Sequence, residues 1–243
     1  MRKNAEKTYS RQFMDSFQRL ARSHGLWAVW SDFILMSACS ISNAVNKSEY
    51  DRREKLYLSA SESYTSDELE RIAELFALTF MALEENPNQD FLGHIFCELK
   101  LHNERTGQFF TPYHVAELMS KLSYGDWKSE IQKKGYISVN DCCCGAGSLL
   151  IAFANAAKEQ GLNYQQDVLF AAQDIDYTAA MMCYIQLSLL GCAGYVKIGD
   201  SLTPNPSSQE NIWYTPMCFS DIWQQRCQMD AIRSILKNSE EAV

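Results

Sequence analysis

Three acidic residues and a pair of glycines carry the chemistry that this sequence can do. Asp141 stands at the head of Asp141-Cys-Cys-Cys-Gly-Ala-Gly147, and Leu149 to Ala157 follows it as an apolar helical run. The apolar stretch Gly135 to Val139 leads into that acid, so the pattern predicts a strand, a tight loop and a helix. Such a build lets a ligand approach bare backbone at a helix N-terminus. Either Asp174 or Asp176 ends a second apolar run, Val168 to Gln173, and Asp200 ends a third, Tyr195 to Ile198. In an open parallel sheet these carboxyl ends of strands meet at one crevice. An acid after the second strand is placed to accept hydrogen bonds from ribose hydroxyls, and one after the third from an adenine amino group. Each piece alone is weak, because acids often end strands for solubility. The ordered set is much harder to obtain by chance.

The elements that must position these residues follow from periodicity. After about residue 135, strands alternate with helices, with Thr178 to Gly191 as the second helix. This implies an α/β fold with a parallel sheet covered on both faces. Before residue 100 the chain reads as helical. Phe13, Phe17, Leu20 and Ala21 recur at helical spacing, as do Trp27, Trp30, Phe33, Ile34 and Ala38. The aromatic stripe of Trp27, Trp30 and Phe33 reads as core rather than as a stacking platform. Ser66-Asp-Glu-Leu-Glu70 opens a helix with acids in its first turn, where the helix dipole favours them, and Leu69, Ile72, Phe76, Phe80 and Leu83 form its expected buried stripe. Asp90 is placed to cap a helix over 91–100. Beyond Thr203 the chain is less regular, with one more helix expected between Ser220 and Leu236. The expected division is a helical region over 1–104 and a ligand-binding domain over 105–243.

Composition sets bounds. The 243 residues carry a net charge of −8, which argues against tight nucleic-acid binding by this chain alone. Nine cysteines, an odd number with three in a row, suit a reducing cytoplasm better than a disulfide framework. Cys142, Cys143 and Cys144 cannot easily converge on one tetrahedral ion, so small buried loop residues are expected there and no metal. No stretch reads as a signal peptide or as long and apolar enough to span a membrane.

One further segment, Gly107-Gln-Phe-Phe-Thr-Pro112, precedes the glycine loop. With it, the chain resembles the N6-adenine DNA methyltransferases, in particular the modification subunits of type I restriction systems. The family pattern Gly-Gln-Phe-x-Thr-Pro is matched by Gly107, Gln108, Phe109, Thr111 and Pro112. The family's Asp-Pro-x-Cys-Gly-x-Gly loop is matched by Asp141, Cys144, Gly145 and Gly147, with Cys142 in place of the proline. Gln173-Asp-Ile-Asp176 is similar to the segment that places Asp174 at the ribose. The likeness spans about Asp90 to Leu202, and Asp90-Phe-Leu-Gly93 with Glu98 looks like the family's lead-in. It implies a Rossmann-like methyltransferase fold with a helical N-terminal region, and S-adenosylmethionine as cofactor. It also implies that Thr111, Pro112, Asp141, Cys144, Gly145, Gly147, Asp174 and Asp200 bind that cofactor. DNA would be the substrate, reached only with a partner subunit that supplies specificity or completes catalysis.

The chain departs from the family at one point. It contains no Pro-Pro dipeptide, whereas the family carries Asn or Asp followed by Pro-Pro and an aromatic residue. That motif holds the target amine and stacks on the flipped base. Asn205-Pro-Ser-Ser208, Trp213 to Phe219 and Asp221-Ile-Trp223 do not replace it. An adenine amine is a poor nucleophile and needs acceptors that hold it in line with the methyl group. Two readings therefore stand: a methyltransferase whose clamp is degenerate or completed by a partner, and a non-catalytic module that keeps the cofactor fold.

Overall fold

The computed structural model describes residues 2–101, 110–123, 125–203 and 211–240. Five helices come first: α1 (Arg2–His24), α2 (Leu26–Val45), α3 (Tyr50–Ser61), α4 (Ser66–Glu85) and α5 (Phe91–Glu98). α6 (Tyr113–Leu122) and α7 (Trp127–Lys134) lead into β1 (Ile137–Asp141). Then follow α8 (Ser148–Glu159), the single turn α9 (Tyr164–Asp167), β2 (Val168–Asp174), α10 (Tyr177–Leu189), β3 (Ala193–Ile198), β4 (Ile212–Tyr214) and α11 (Asp221–Glu240). The fold is α/β, with a helical N-terminal region.

Local signals explain the helix ends. Thr65 and Glu68 form a reciprocal capping box at α4. The Asp90 side chain accepts the Gly93 N–H at the start of α5, as expected, and Asp176 does the same for Ala179 at α10. Two expectations fail on the helix faces. Phe80 is exposed, because the buried stripe of α4 runs through Ile72, Leu75, Leu78, Thr79, Ala82 and Leu83. Trp30 and Phe33 are fully buried, but Trp27 is half-exposed at the edge of the cluster, edge-on to Phe96. α2 is also long and apolar enough to cross a membrane by length and composition, against the sequence expectation. Most of it is buried against α3 and α10, which accounts for its apolar character without a bilayer.

The four strands lie in the order β1-β2-β3-β4. β1, β2 and β3 are parallel, with Val139 opposite Phe170 and Phe170 opposite Gly194. A fourth strand, not expected from the sequence, is short and runs antiparallel on β3: this is β4, with Trp213 opposite Val196. Burial along β2 alternates: Val168, Phe170 and Ala172 are buried while Leu169, Ala171 and Gln173 are half-buried. One face is thus sealed and the other only partly covered, short of the expected cover on both faces. α10 lies over β2 and β3, α8 beside it against β1, and α6 on α8.

Helices and sheet share one continuous core, from Phe13 and Trp30 through Met181 and Tyr184 to Trp213. Arg53 on α3 ties β4 into it. Its guanidinium lies 3.9 Å over the Trp213 ring, donates to the Ile212 carbonyl at 3.1 Å and hydrogen-bonds the Ser42 hydroxyl, with the side chain fully buried. Arg53→Ala is expected to lower unfolding free energy by about 3 kcal/mol, since it removes charge-assisted hydrogen bonds and ring packing together. Arg53→Lys should recover little, because an ammonium lacks the planar fork that reaches both acceptors. Urea titration of the three proteins checks this.

Candidate active site

The carboxyl ends of β1, β2 and β3 meet at the glycine loop, and hydrogen bonds fix their relation. The Cys144 N–H donates to the Gln173 carbonyl at 2.9 Å, tying the loop to the end of β2. The Gly199 N–H donates to the Asp174 carbonyl at 2.9 Å, and the Gln173 amide donates to the Gly199 carbonyl at 3.0 Å, tying β2 to the end of β3. Asp174, not Asp176, ends the strand; Asp176 is the cap of α10.

Asp174 organises the loop. One carboxylate oxygen accepts the Gly145 N–H at 2.8 Å and the other the Asp176 N–H at 2.9 Å. The carboxylate is half-buried, and its oxygens keep lone pairs that can accept further donors. Asp141 is more confined. Its Oδ1 accepts the Cys143 N–H at 3.1 Å, while its Oδ2 is buried without a hydrogen-bond partner. Burial pushes the Asp141 carboxyl up, and the nearby charge of Asp174 adds to this, against the Cys143 hydrogen bond. Among the described residues neither acid has an ion-pair partner. A buried orphan acceptor beside a second carboxylate suits a ligand that brings N–H donors and positive charge.

The loop glycines are required where they stand. Gly145 has φ 53°, and a Cβ there would lie 2.9 Å from the Phe110 ring. Gly147 has φ 97°, and its Cβ would lie 2.9 Å from the Cys183 sulfur on α10. The first lets the Phe110 ring pack directly on the loop, next to Thr111 and Pro112, and the second lets α8 approach α10. Phe110 in turn meets Phe96 of α5 edge-on at 5.2 Å. Pro112 caps α6, and Thr111 is half-buried beside it. Gly107, Gln108 and Phe109 lie outside the described residues.

Asp200 sits one residue past Gly199, so it shares the strand-end crevice with Asp174. Its oxygens accept the Leu202 N–H at 2.8 Å and the Thr203 hydroxyl, and the Thr203 bond holds its carboxyl below the usual range. The three cysteines divide. Cys144 is buried, whereas Cys142 and Cys143 are exposed, which corrects the expectation of three small buried residues. The loop turns outward after Asp141 and returns to the core only at Cys144.

Sequence reasoning missed three positions. Gln186, fully buried on α10, donates to the Ala146 carbonyl and to Asp90 Oδ1, both at 2.8 Å, and accepts the Leu92 N–H at 3.1 Å. It therefore joins the glycine loop to α5. A lone glutamine inside the otherwise apolar run Ala179 to Leu187 was the available signal. Phe110 was read only as the variable position of its segment. Ile175, 72% exposed between Asp174 and Asp176, offers an apolar side chain at the mouth of the crevice; one exposed isoleucine is unremarkable by composition alone.

A family model described as N-6 DNA Methylase matches residues 88–234, more than half of the chain and all of the residues just described. The crystal structure of the type I restriction-modification system methyltransferase subunit from Streptococcus thermophilus is 16% identical, with a TM-score of 0.42. The match covers 84% of this chain and 61% of that subunit, so the chain spans less than two thirds of its length. No curated protein matches the chain.

Proposed function

From the premise that this chain belongs to the N-6 DNA methylase family, we propose that it binds S-adenosylmethionine at the crevice of β1, β2 and β3. The carrying observation is the buried, unpartnered Asp141 Oδ2 beside the carboxylate of Asp174. The residues fit the cofactor. Asp141 would accept from its ammonium group, Gly145 under Phe110 and Gly147 against α10 would shape the tight loop that takes its amino-acid part, and Thr111 with Pro112 would flank the methionine portion. Asp174 would take the ribose hydroxyls, Asp200 the adenine amine, Cys144 would hold the loop against the core, and Ile175 would wall the ring. Bound there, the cofactor would present an electrophilic methyl group; the two carboxylates also offset the positive charge of its sulfonium.

The proposed substrate is adenine N6 in DNA, approached together with a partner subunit in the manner of a type I modification enzyme, in the cytoplasm. In this reading residues 1–104 serve as the helical platform and 105–243 as the cofactor domain. The chain has no Pro-Pro dipeptide to hold the amine, so we place amine-holding groups on the partner. The second reading, a cofactor-keeping module without catalysis, rests on the same absence. Calorimetric titration of S-adenosylmethionine tests the binding. Transfer of labelled methyl groups to unmethylated DNA, by the chain alone and with a co-purifying subunit, separates the two readings. No saturable binding removes both.

A further inference from the structure

We propose that Cys142 and Cys143 form a redox-modifiable dithiol at the rim of the crevice, closed to a vicinal disulfide by a small-molecule disulfide and reopened by thiols. Neither side chain has a part in the cofactor site. Cys142 stands where the family pattern has proline, and Cys143 where that pattern is open. Both are free and exposed, on the outward turn after Asp141. Their thiols are hydrogen-bonded to each other, and the Cys143 thiol also meets the hydroxyl of Ser201, next to Asp200. Cys144 and Cys183 are buried and hydrogen-bonded to each other, while the exposed Cys97 and Cys227 stand on α5 and α11.

Proximity, not activation, sets the pair apart. Partial desolvation holds the Cys143 thiol above its ordinary value, and Cys142 and Asp174 add to this, against the Ser201 bond, so its thiolate is scarce. The step that closes the ring is intramolecular, however, and needs no second encounter. One thiolate attacks a sulfur of oxidised glutathione, forming a mixed disulfide and expelling one glutathione thiolate. The neighbouring thiolate then attacks the cysteine sulfur of that mixed disulfide and expels the second. The two cysteines lose two electrons and two protons, and one glutathione disulfide becomes two glutathione thiols. Adjacent α-carbons lie about 3.8 Å apart, below the roughly 4.4–6.8 Å that disulfides span. The ring is therefore strained, and strained, exposed disulfides are the ones that thiols readily reopen.

Closing the ring reaches Asp141 through the backbone. The Cys143 N–H, which donates to Asp141 Oδ1 at 3.1 Å, belongs to the peptide between the two cysteines. Fitting that peptide into a small ring twists it and turns the N–H off the carboxylate. Asp141 Oδ2 has no hydrogen-bond partner to make up the loss. The thiol that meets Ser201 is consumed as well, so the loop loses its tie to the segment that begins with Asp200. Oxidation thus slackens the crevice at two of its three acids. On the reading that S-adenosylmethionine binds there, on which this last step rests, it lowers affinity for the cofactor.

The full chain, reduced and then equilibrated with oxidised glutathione in mild base, should yield a tryptic peptide over 135–158 that is lighter by two hydrogens, with Cys144 its one alkylatable cysteine. Hydrogen exchange over 141–147 should quicken in the oxidised chain with no cofactor present. Calorimetry should give an S-adenosylmethionine affinity at least ~10-fold weaker after oxidation, about the loss of one hydrogen bond to a charged group, and dithiothreitol should restore it. In Cys142→Ala and Cys143→Ala none of these readouts should respond to oxidation; should a variant not fold, the reduced and oxidised wild type decide. A glutathione adduct that never closes, a disulfide through Cys144 or Cys183, or loop exchange or affinity unmoved by oxidation each overturn the proposal. If the reduced chain binds no S-adenosylmethionine, the cofactor reading falls, and peptide mass and loop exchange alone decide this one.

Discussion

Asp174→Ala is expected to weaken S-adenosylmethionine binding at least ~100-fold while the protein still unfolds cooperatively. Two ribose hydroxyls each lose a hydrogen bond to a charged acceptor, at about 1.5–3 kcal/mol apiece. The loop also suffers. Gly145 and Asp176 both donate to this carboxylate, so its removal frees the Gly145 N–H and releases the turn before α10. Asp174→Asn keeps one oxygen acceptor and should fall between the two. Asp200→Ala should cost much less, because that carboxylate is already engaged by Leu202 and Thr203 and takes a single adenine amine. Calorimetry on the four proteins reads this order directly. Equal affinity in wild type and Asp174→Ala would place the cofactor elsewhere.

The strand-loop-helix core of the site was legible because each of its parts has a local cause. β1 ends in an acid, Gly145 and Gly147 need positive φ, and α8 is an apolar run; none of these depends on distant chain. The same holds for the acidic first turn of α4 and for the Asp90 cap of α5. Face assignments were harder. Phe80 and Trp27 satisfy helical spacing yet sit toward solvent, since periodicity gives a stripe but not which of two adjacent stripes meets a partner. β4 was invisible because three residues carry no period, and it is held by pairing with β3 and by Arg53, about 160 residues earlier in the chain. Gln186 belongs to the same class. Its type was an anomaly in the sequence, but its partners, Asp90 and Ala146, are brought to it only by the fold.

Gln186→Leu should therefore be the most damaging single change in the site's support, lowering unfolding free energy by about 4 kcal/mol. Leucine fills a similar volume, so the loss is not of packing. It strands the Leu92 N–H, the Ala146 carbonyl and one bond to Asp90, each of them buried, at about 1–3 kcal/mol per orphaned group. That is a large share of a total stability of roughly 5–15 kcal/mol. The pH dependence separates this network from generic core damage. Burial raises the Asp90 carboxyl above its ordinary value, against the hydrogen bonds from Gln186 and Gly93. The folded protein thus holds a proton that the unfolded chain releases. Its stabilising effect is complete below the ordinary carboxylate pKa and is lost as pH rises through the raised one. Asp90→Asn should flatten that decline. Gln186→Glu, which sets a second acid against Asp90, should steepen it and regain stability in acid, where Gln186→Leu does not. Urea midpoints of the four proteins across that window decide. If Gln186→Leu matches wild type, the glycine loop does not depend on α5 and α10 for its position.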